Sequence, residues 1–265
     1  MNAYGQGGFG AAFQPRLTPA VKGLLIAIAV GFVLQLSLEN FLGVSATYWL
    51  GFSPEAFFSG RLWQILTYPF LHGGMGHLML NALVLYTMGS ELERRWGTKR
   101  FLWFYGLCAV GGAILHSIVW LALSLFGYGG AAELGGIPVI GASGSLYGLM
   151  VGFGMLFGEA VILVFFIAPM KAKHFTALMA AMTFLSAVFY GDPKTGGGVA
   201  HLVHLGGLVT GYLLLKFFGK DLGGFGGGPF GRRRPMDRDE LKRRLSVVVN
   251  NDERSGSGKY PVTWN

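Results

Sequence analysis

The chain has 265 residues, of which 52% are hydrophobic and 13% are charged, and its mean hydropathy is +0.49. This composition is too apolar for an ordinary soluble domain and predicts a membrane protein that crosses the bilayer several times. The single cysteine excludes an intrachain disulfide and a cysteine-based zinc site, and the distribution of the +8 net charge, given below, argues against nucleic-acid binding.

Six apolar runs have about the length that a hydrocarbon core of ~30 Å requires. They cover residues 20–38, 76–92, 100–124, 141–158, 172–190 and 199–218. We therefore expect an all-α bundle of six transmembrane helices over residues 20–218. An N-terminal tail (1–19) would precede it, and a flexible basic tail (219–265) would follow it.

The basic residues predict the orientation of this bundle. In a topology with the N-terminus inside, 19 of the 21 Lys and Arg residues lie on the inner side, and only Arg61 and Lys194 lie outside. An excess of positive charge on the inner side indicates that this side is cytoplasmic. We expect both termini in the cytoplasm, with the bacterial inner membrane as the location.

The connections between the helices differ in character. Residues 39–75 form a long, aromatic external segment that we expect to lie partly in the outer leaflet, and His72 is interpreted as an interfacial loop histidine. Residues 125–140 are rich in turn formers. After Gly158 the sequence leaves open whether the fourth helix extends or re-enters the membrane. Tyr190 to Gly198 form a glycine-rich external loop.

The second run contains two polar residues at membrane depth, His77 and Asn81. Their i, i+4 spacing places them on one helical face, and polar groups at this depth usually face a cavity. Hydrogen bonding to neighbouring helices is the alternative. The charged group at the end of this run, which holds Glu91, Glu93, Arg94 and Arg95, is interpreted as a solvated surface.

Two glycine patterns occur on the fourth and sixth runs. In GASGSLYG, Ser143 is followed by Gly144, Gly148 and Gly152, and in AHLVHLGGLVTG, Gly207 and Gly211 follow His204 at i+3 and i+7. Small residues at such intervals let two membrane helices approach closely. At 1.5 Å per residue, Ser143 and His204 both lie roughly 8 Å below the outer surface. We expect these two faces to touch.

This pairing suggests nucleophilic catalysis. A serine is a weak nucleophile unless a base takes its proton, and His204 could do so. His201 is the rival base, but its i+3 and i+7 neighbours, His204 and Leu208, would prevent close approach. Unpaired N–H groups near Ser143, with His77 and Asn81, could stabilise an oxyanion.

Tyr147, one turn below the serine, could support the imidazole of His204 or serve as an ordinary packing aromatic. None of the 13 acidic residues falls in the middle of an apolar run, which favours a Ser–His dyad without a third member. No HExxH zinc motif is present, and we expect no metal or cofactor.

These motifs, with HGGMGHLMLN and ERRWG, resemble the rhomboid family of intramembrane serine proteases over residues 20–218. The resemblance implies Ser143 as nucleophile, His204 as base, His77 and Asn81 at the oxyanion, and Tyr147 stacked on His204, with Gly144 and Gly207 in support. It also implies a water-filled cavity open to the outside, a cap at Tyr190 to Gly198, and transmembrane protein substrates cleaved near a small residue. At Gln64 the chain differs from the Trp-Arg pair of many members, so anchoring of the first loop does not follow from the resemblance.

Two other classes of function stay open at this point. One is a non-catalytic, rhomboid-like binder of transmembrane segments, although inactive relatives usually lose the serine or the histidine. The other is a membrane protein that binds a metal or haem through His77, His201 and His204. The expected partners are transmembrane substrates and the lipid bilayer, and the oligomeric state is open.

Overall fold

A computed structural model of the chain describes residues 16–127, 130–164, 167–189 and 197–219. These residues belong to one compact unit, Met1–Phe225. The predicted tails, apart from residues 16–19 and 219, lie outside the described residues, as does most of the predicted cap from Tyr190 to Gly198.

The described part of the chain is mainly helical. The α-helices are α1 (Pro19–Phe41), α2 (Ala46–Leu50), α3 (Pro54–Phe58), α4 (Gln64–Thr67), α5 (Met75–Val84), α6 (Ser90–Trp96), α7 (Thr98–Leu125), α8 (Ala131–Gly136), α9 (Ser143–Leu156), α10 (Ala172–Phe189) and α11 (Gly197–Phe218). A 3₁₀ turn (Tyr68–Phe70) follows α4, and a π-helical turn (Leu85–Gly89) joins α5 to α6. Two antiparallel strands, β1 (Val161–Val164) and β2 (Ala168–Lys171), pair Val161 with Lys171 and Val164 with Ala168.

Four described helices, namely α1, α7, α10 and Ala200–Phe218 of α11, are long and apolar enough to cross a membrane. The predicted second span consists of the consecutive segments from Met75 to Trp96. The predicted fourth span is α9, which has 14 residues, or ~21 Å, and is shorter than the apolar run at 141–158. The all-α, multi-span fold class is confirmed, and the count of six spans stays a prediction.

The first loop (residues 42–74) is folded rather than irregular. Ser45 and Ser53 cap α2 and α3 by accepting hydrogen bonds from the backbone N–H groups of Tyr48 and Ala56. Several large apolar side chains on and beside this loop are exposed. They are Phe41, Trp49, Phe58, Leu62, Trp63 and Leu66. Exposed apolar groups of this kind are typical of the membrane interface. They support the predicted position of the first loop in the outer leaflet, which stays a prediction.

Gln64 anchors the first loop. Its side chain is 1% exposed, accepts from the Ser53 N–H at 3.3 Å, and donates to the carbonyls of Tyr48 and Trp49, each at 3.4 Å. The guanidinium of Arg61 lies 4.2 Å from the ring centroid of Tyr48 and covers the same corner. The loop is therefore fixed by an amide and a neighbouring arginine instead of the Trp-Arg pair.

Beyond Gly158 the fourth helix neither extends nor re-enters; the chain forms the β1–β2 hairpin. The β-branched run at Val161–Val164 favours a strand, and Pro169 cannot donate a helical hydrogen bond. The carboxylate of Glu159 pairs with Lys171 and Lys173 at the base of the hairpin. Hydrogen bonds from these two ammonium groups hold the pKa of Glu159 well below its ordinary value.

The two glycine faces meet, as the sequence predicts. A methyl group added to Gly207 would overlap the carbonyl oxygen of Gly144, and one added to Gly211 would lie 2.9 Å from the Cα of Gly148. Real side chains essentially never come that close to a backbone, so α9 and α11 contact each other along bare main chain. This contact sets the distance between the residues that each helix carries.

Glu93 corrects the interpretation of the ERRWG region as a solvated surface. Glu93 is only 3% exposed, and its carboxylate accepts hydrogen bonds from the backbone N–H groups of Ala20 and Val21 at 3.0 Å. The hydroxyls of Thr18 and Thr98 also donate to it, the latter at 2.6 Å. A carboxylate at the first turn of α1 satisfies unpaired donors and the helix dipole together, so Glu93 ties α1 to the start of α7.

The α9–α11 contact predicts a strong effect of added methyl groups. Gly207→Ala and Gly211→Ala should each lower the free energy of unfolding by ~1–3 kcal/mol, because packed backbone must move apart. Gly106→Ala is the matched control in α7, where an added Cβ meets nothing within 4 Å, and it should be neutral or stabilising. SDS titration in mixed micelles measures all three, and equal effects would contradict the contact.

The Glu93 cap predicts a second stability difference. Glu93→Gln replaces one acceptor oxygen by a donor, leaves N–H or hydroxyl donors unpaired, and should cost ~2–3 kcal/mol. Glu91→Gln, whose carboxylate pairs with Arg94 on the same helix, is the control and should cost under ~1 kcal/mol. The same titration compares them, and a cost for Glu91→Gln as large as that for Glu93→Gln would refute the cap.

Candidate active site

A tight turn supported by the first loop places Ser143 at the start of α9. Gly141 has φ +119°, a conformation that side chains rarely adopt, and its N–H donates to the carbonyl of Tyr68 at 2.9 Å. Just before it, Phe52 and Val139 exchange two backbone hydrogen bonds of 2.9 and 2.7 Å. The entry to α9 is thus hydrogen-bonded to the loop that Gln64 anchors.

The structure brings Ser143 and His204 together. The Oγ of Ser143 lies 2.7 Å from the Nε2 of His204, and both residues are half-buried. The ring of Tyr147 stacks on the imidazole, with centroids 4.3 Å apart and planes 12° from parallel. Tyr147 therefore lies against the imidazole ring and fixes its plane.

His201, the rival base, contacts the ring of His204 and makes no hydrogen bond to Ser143 among the described residues. Its ring meets that of His204 edge to face, with centroids 6.0 Å apart and planes at 75°. The serine hydroxyl is bonded to His204, as the glycine spacing on α11 predicts. Within the described ranges, the Nδ1 of His204 has no hydrogen-bond partner, so no carboxylate there completes a triad.

The protonation of His77 follows from its own hydrogen bond. The backbone N–H of Gly73 donates to the Nδ1 of His77 at 3.3 Å, so the neutral ring carries its proton on Nε2. A Cβ built on Gly141 would lie 3.0 Å from this Nε2 and 3.7 Å from the Nδ2 of Asn81. Two side-chain donors thus face the turn that precedes Ser143.

Asn81 is 6% exposed, and its Nδ2 has no hydrogen-bond partner among the residues described. A buried amide without a partner is costly, and such a donor is available to an acceptor that enters the site. Gly141 permits this approach, because a side chain there would strike His77. The i, i+4 spacing of His77 and Asn81 thus delivers both donors to one place.

His72 corrects the interpretation as an interfacial loop histidine. It is 1% exposed, its backbone N–H donates to the Oε1 of Gln35 at 2.9 Å, and its ring lies 5.1 Å from that of His77.

Tyr68 is a residue that the sequence did not single out. Tyr68 is fully buried, and its hydroxyl donates to the carbonyl of Ala109 at 2.8 Å. Its backbone carbonyl accepts the hydrogen bond from the Gly141 N–H.

The histidines do not gather into a metal centre. No group of three or more His, Cys, Asp or Glu side chains placed to hold a metal ion occurs in the described part of the chain. His116 on α7 is buried, and its Nε2 lies 3.0 Å from the carbonyl oxygen of Leu134. His116 thus packs α7 against the end of α8.

Comparison with known proteins identifies the family of the chain. The family model described as the Rhomboid domain matches residues 59–221. The chain is 28% identical over 200 residues to RHOMBOID-like protein 12, mitochondrial, of Arabidopsis thaliana, covering 72% of this chain and 55% of that protein. It is 29% identical to Rhomboid-like protease 3 of Toxoplasma gondii, covering 63% of this chain and 56% of the relative.

A third relative is the Rhomboid protease GluP of Bacillus subtilis, which is 26% identical and is matched over 66% of this chain and 29% of its own length. The chain thus spans about half the length of the first two relatives and less of the third. The family model covers more than half of the chain, including α9 and α11, and the apolar helices agree with it. The chain belongs to the rhomboid family and is a multi-pass integral membrane protein.

Proposed function

We propose that the chain is a serine endopeptidase that cleaves peptide bonds in or beside transmembrane segments of other proteins. The observation that carries this proposal is the 2.7 Å contact between Ser143 Oγ and His204 Nε2 on two helices in glycine contact. Relatives in Toxoplasma gondii and Bacillus subtilis are named proteases, which supports the same activity here.

In the first half of the reaction, Ser143 Oγ attacks the carbonyl carbon of the substrate while its proton moves to His204 Nε2. A tetrahedral intermediate forms. It collapses as the C–N bond breaks, and His204 gives its proton to the leaving amine. The product is an ester between Ser143 and the N-terminal part of the substrate.

In the second half, a water molecule attacks the ester carbon while His204 takes its proton. The ester bond breaks, His204 returns the proton to Ser143 Oγ, and a carboxylic acid leaves. The imidazole must hold one plane through both proton transfers, and stacking by Tyr147 provides that constraint. No metal or cofactor enters this sequence.

The oxyanion would lie among three kinds of donor. These are His77 Nε2–H, Asn81 Nδ2–H, and the N–H groups of the first turn of α9, whose N-cap Ala142 has no capping side chain. Donors fixed before the charge develops stabilise the transition state more than the substrate. The tautomer of His77 set by Gly73 is what makes its Nε2 a donor.

The proposed orientation places both termini in the cytoplasm, with the bacterial inner membrane as the location, on the basis of the basic residues alone. Transmembrane proteins would then be the substrates, reached within the bilayer.

A non-catalytic binder of transmembrane segments would have no need of the hydrogen-bonded Ser143–His204 pair. A metal or haem protein would need His77, His201 and His204 to converge on one ion.

Removal of either member of the dyad should abolish cleavage. In proteoliposomes with a co-reconstituted transmembrane substrate, Ser143→Ala and His204→Ala should each lower the cleavage rate by at least about 10⁴-fold. His201→Ala is the matched histidine control and should keep most activity. A fluorophosphonate should label wild type at Ser143 and fail to label Ser143→Ala. Cleavage at equal rates by wild type and both dyad variants would refute the proposal.

Loss of the Asn81 donor should affect the rate constant more than substrate binding. Asn81→Ala should lower kcat by about 10²–10³-fold with little change in KM, because the donor acts on charge that develops in the transition state. Asn40→Ala, which removes an exposed amide at the end of α1, is the control. If Asn81→Ala changes KM and leaves kcat unchanged, the amide contributes to substrate binding and not to stabilisation of the oxyanion.

A further inference from the structure

An apolar cleft lies between α9, α10 and α11, away from the dyad. It has a volume of about 470 Å³. Its lining is Val151, Gly154 and Met155 on α9, Lys173, Thr176, Ala177 and Ala180 on α10, and Leu205, Leu208, Val209 and Tyr212 on α11. The cleft extends from Val151, one turn after Tyr147, and Leu205, the residue after His204, to Lys173 and Tyr212.

The polar groups of this cleft are confined to one end. The hydroxyl of Thr176 is already committed, because it donates to the carbonyl of Met150 at 2.9 Å. Lys173 at the start of α10 and Tyr212 near the end of α11 lie at the same end. The remaining lining side chains are aliphatic or methionine, so the interior of the cleft offers contacts only to an apolar chain.

Positive charge surrounds that polar end. Lys171 and Lys173 share the single carboxylate of Glu159, which leaves one net positive charge on this group. Lys216 adds a second, with its Nζ 5.8 Å from the ring centroid of Tyr212. An anionic headgroup would therefore meet favourable charge at the point where an apolar chain leaves the cleft.

The size of the cleft matches a single hydrocarbon chain. Lys173 to Ala180 and Leu205 to Tyr212 each span seven residues, or ~10 Å, which is about two thirds of one leaflet of a ~30 Å core. A hydrocarbon chain matches the length of the cleft, and the positive charge at its polar end favours an anionic lipid over an uncharged transmembrane segment.

We propose that this cleft binds one acyl chain of an anionic phospholipid, with its headgroup phosphate at Lys173 and Lys216. The lipid comes from the leaflet on the side where α10 begins and α11 ends. The apolar lining holds the chain, and the two lysines select the anionic headgroup over a zwitterionic one. The site is independent of the dyad and of the proposed proteolysis.

Native mass spectrometry tests the proposal on protein taken from bilayers of equal parts phosphatidylglycerol and phosphatidylcholine. Wild type should retain one phosphatidylglycerol. Lys173→Gln with Lys216→Gln should weaken retention about fivefold per lysine removed. Ala177→Phe, or Val209→Phe if the first variant is unstable, should fill the cleft and abolish retention. Labelling by a phosphatidylglycerol with a photoreactive chain should map to α10 and α11.

Lys22→Gln and Leu178→Phe are the matched controls, because Lys22 is exposed at the start of α1 and Leu178 is an exposed residue of α10 outside the cleft. Both should retain the lipid as wild type does. Equal retention of the two phospholipids, unchanged retention in the Phe variants, or photolabelling elsewhere would overturn the proposal. Phe variants that keep the lipid but no longer crosslink to a transmembrane substrate would also overturn the proposal, because they would assign the cleft to the substrate.

Discussion

Backbone contact between α9 and α11 is the constraint on which the dyad depends. Gly207 lies against the Gly144 carbonyl, and Gly211 lies against the Gly148 backbone. In a bilayer, lipid is as apolar as leucine, so close packing rather than hydrophobic burial brings helices together. The Ser143 and His204 side chains are short, and they reach 2.7 Å only because the helices are this close. Bulkier residues at Gly207 or Gly211 would push α9 and α11 apart. They would therefore separate Ser143 from His204 even though both side chains are unchanged.

The site also depends on the first loop, although that loop supplies none of the dyad. Gln64 fixes the loop, Phe52 pairs with Val139, and Tyr68 receives the Gly141 N–H. These hydrogen bonds hold the positive φ of Gly141 that turns the chain into α9 and opens space for His77 and Asn81. The folded first loop thus orients the N-terminus of α9. Loosening the first loop should displace His77 and Asn81, the proposed oxyanion donors, before it unpacks the helix bundle.

Much of this arrangement could be predicted from the sequence, because it depends on spacing within single helices. The intervals of Gly144, Gly148, Gly207 and Gly211 predicted which faces meet, and helix length predicted the common depth of Ser143 and His204. Contacts between distant segments could not be predicted in this way. The run of charges around Glu93 is typical of a surface, and the sequence does not show that the N–H groups at the start of α1 donate to its carboxylate. His72 looks like a loop residue until Gln35 and His77 enclose it. The hairpin after Gly158 depends on strand pairing between β1 and β2, which an apolar run does not reveal.

The two ends of the bundle are stabilised by different physics, and this separates their functions. Around the dyad, the groups that fix the side chains are uncharged: a glycine contact, a stacked tyrosine and a backbone N–H on His77. At the other end, the Glu93 carboxylate accepts hydrogen bonds from the first turn of α1, and the Glu159 carboxylate pairs with Lys171 of β2 and Lys173 of α10. In the proposed mechanism, a charge near Ser143 and His204 would perturb the proton transfer between them. Among the described residues, the carboxylates of Glu93 and Glu159 act at the opposite end of the bundle, away from that proton transfer.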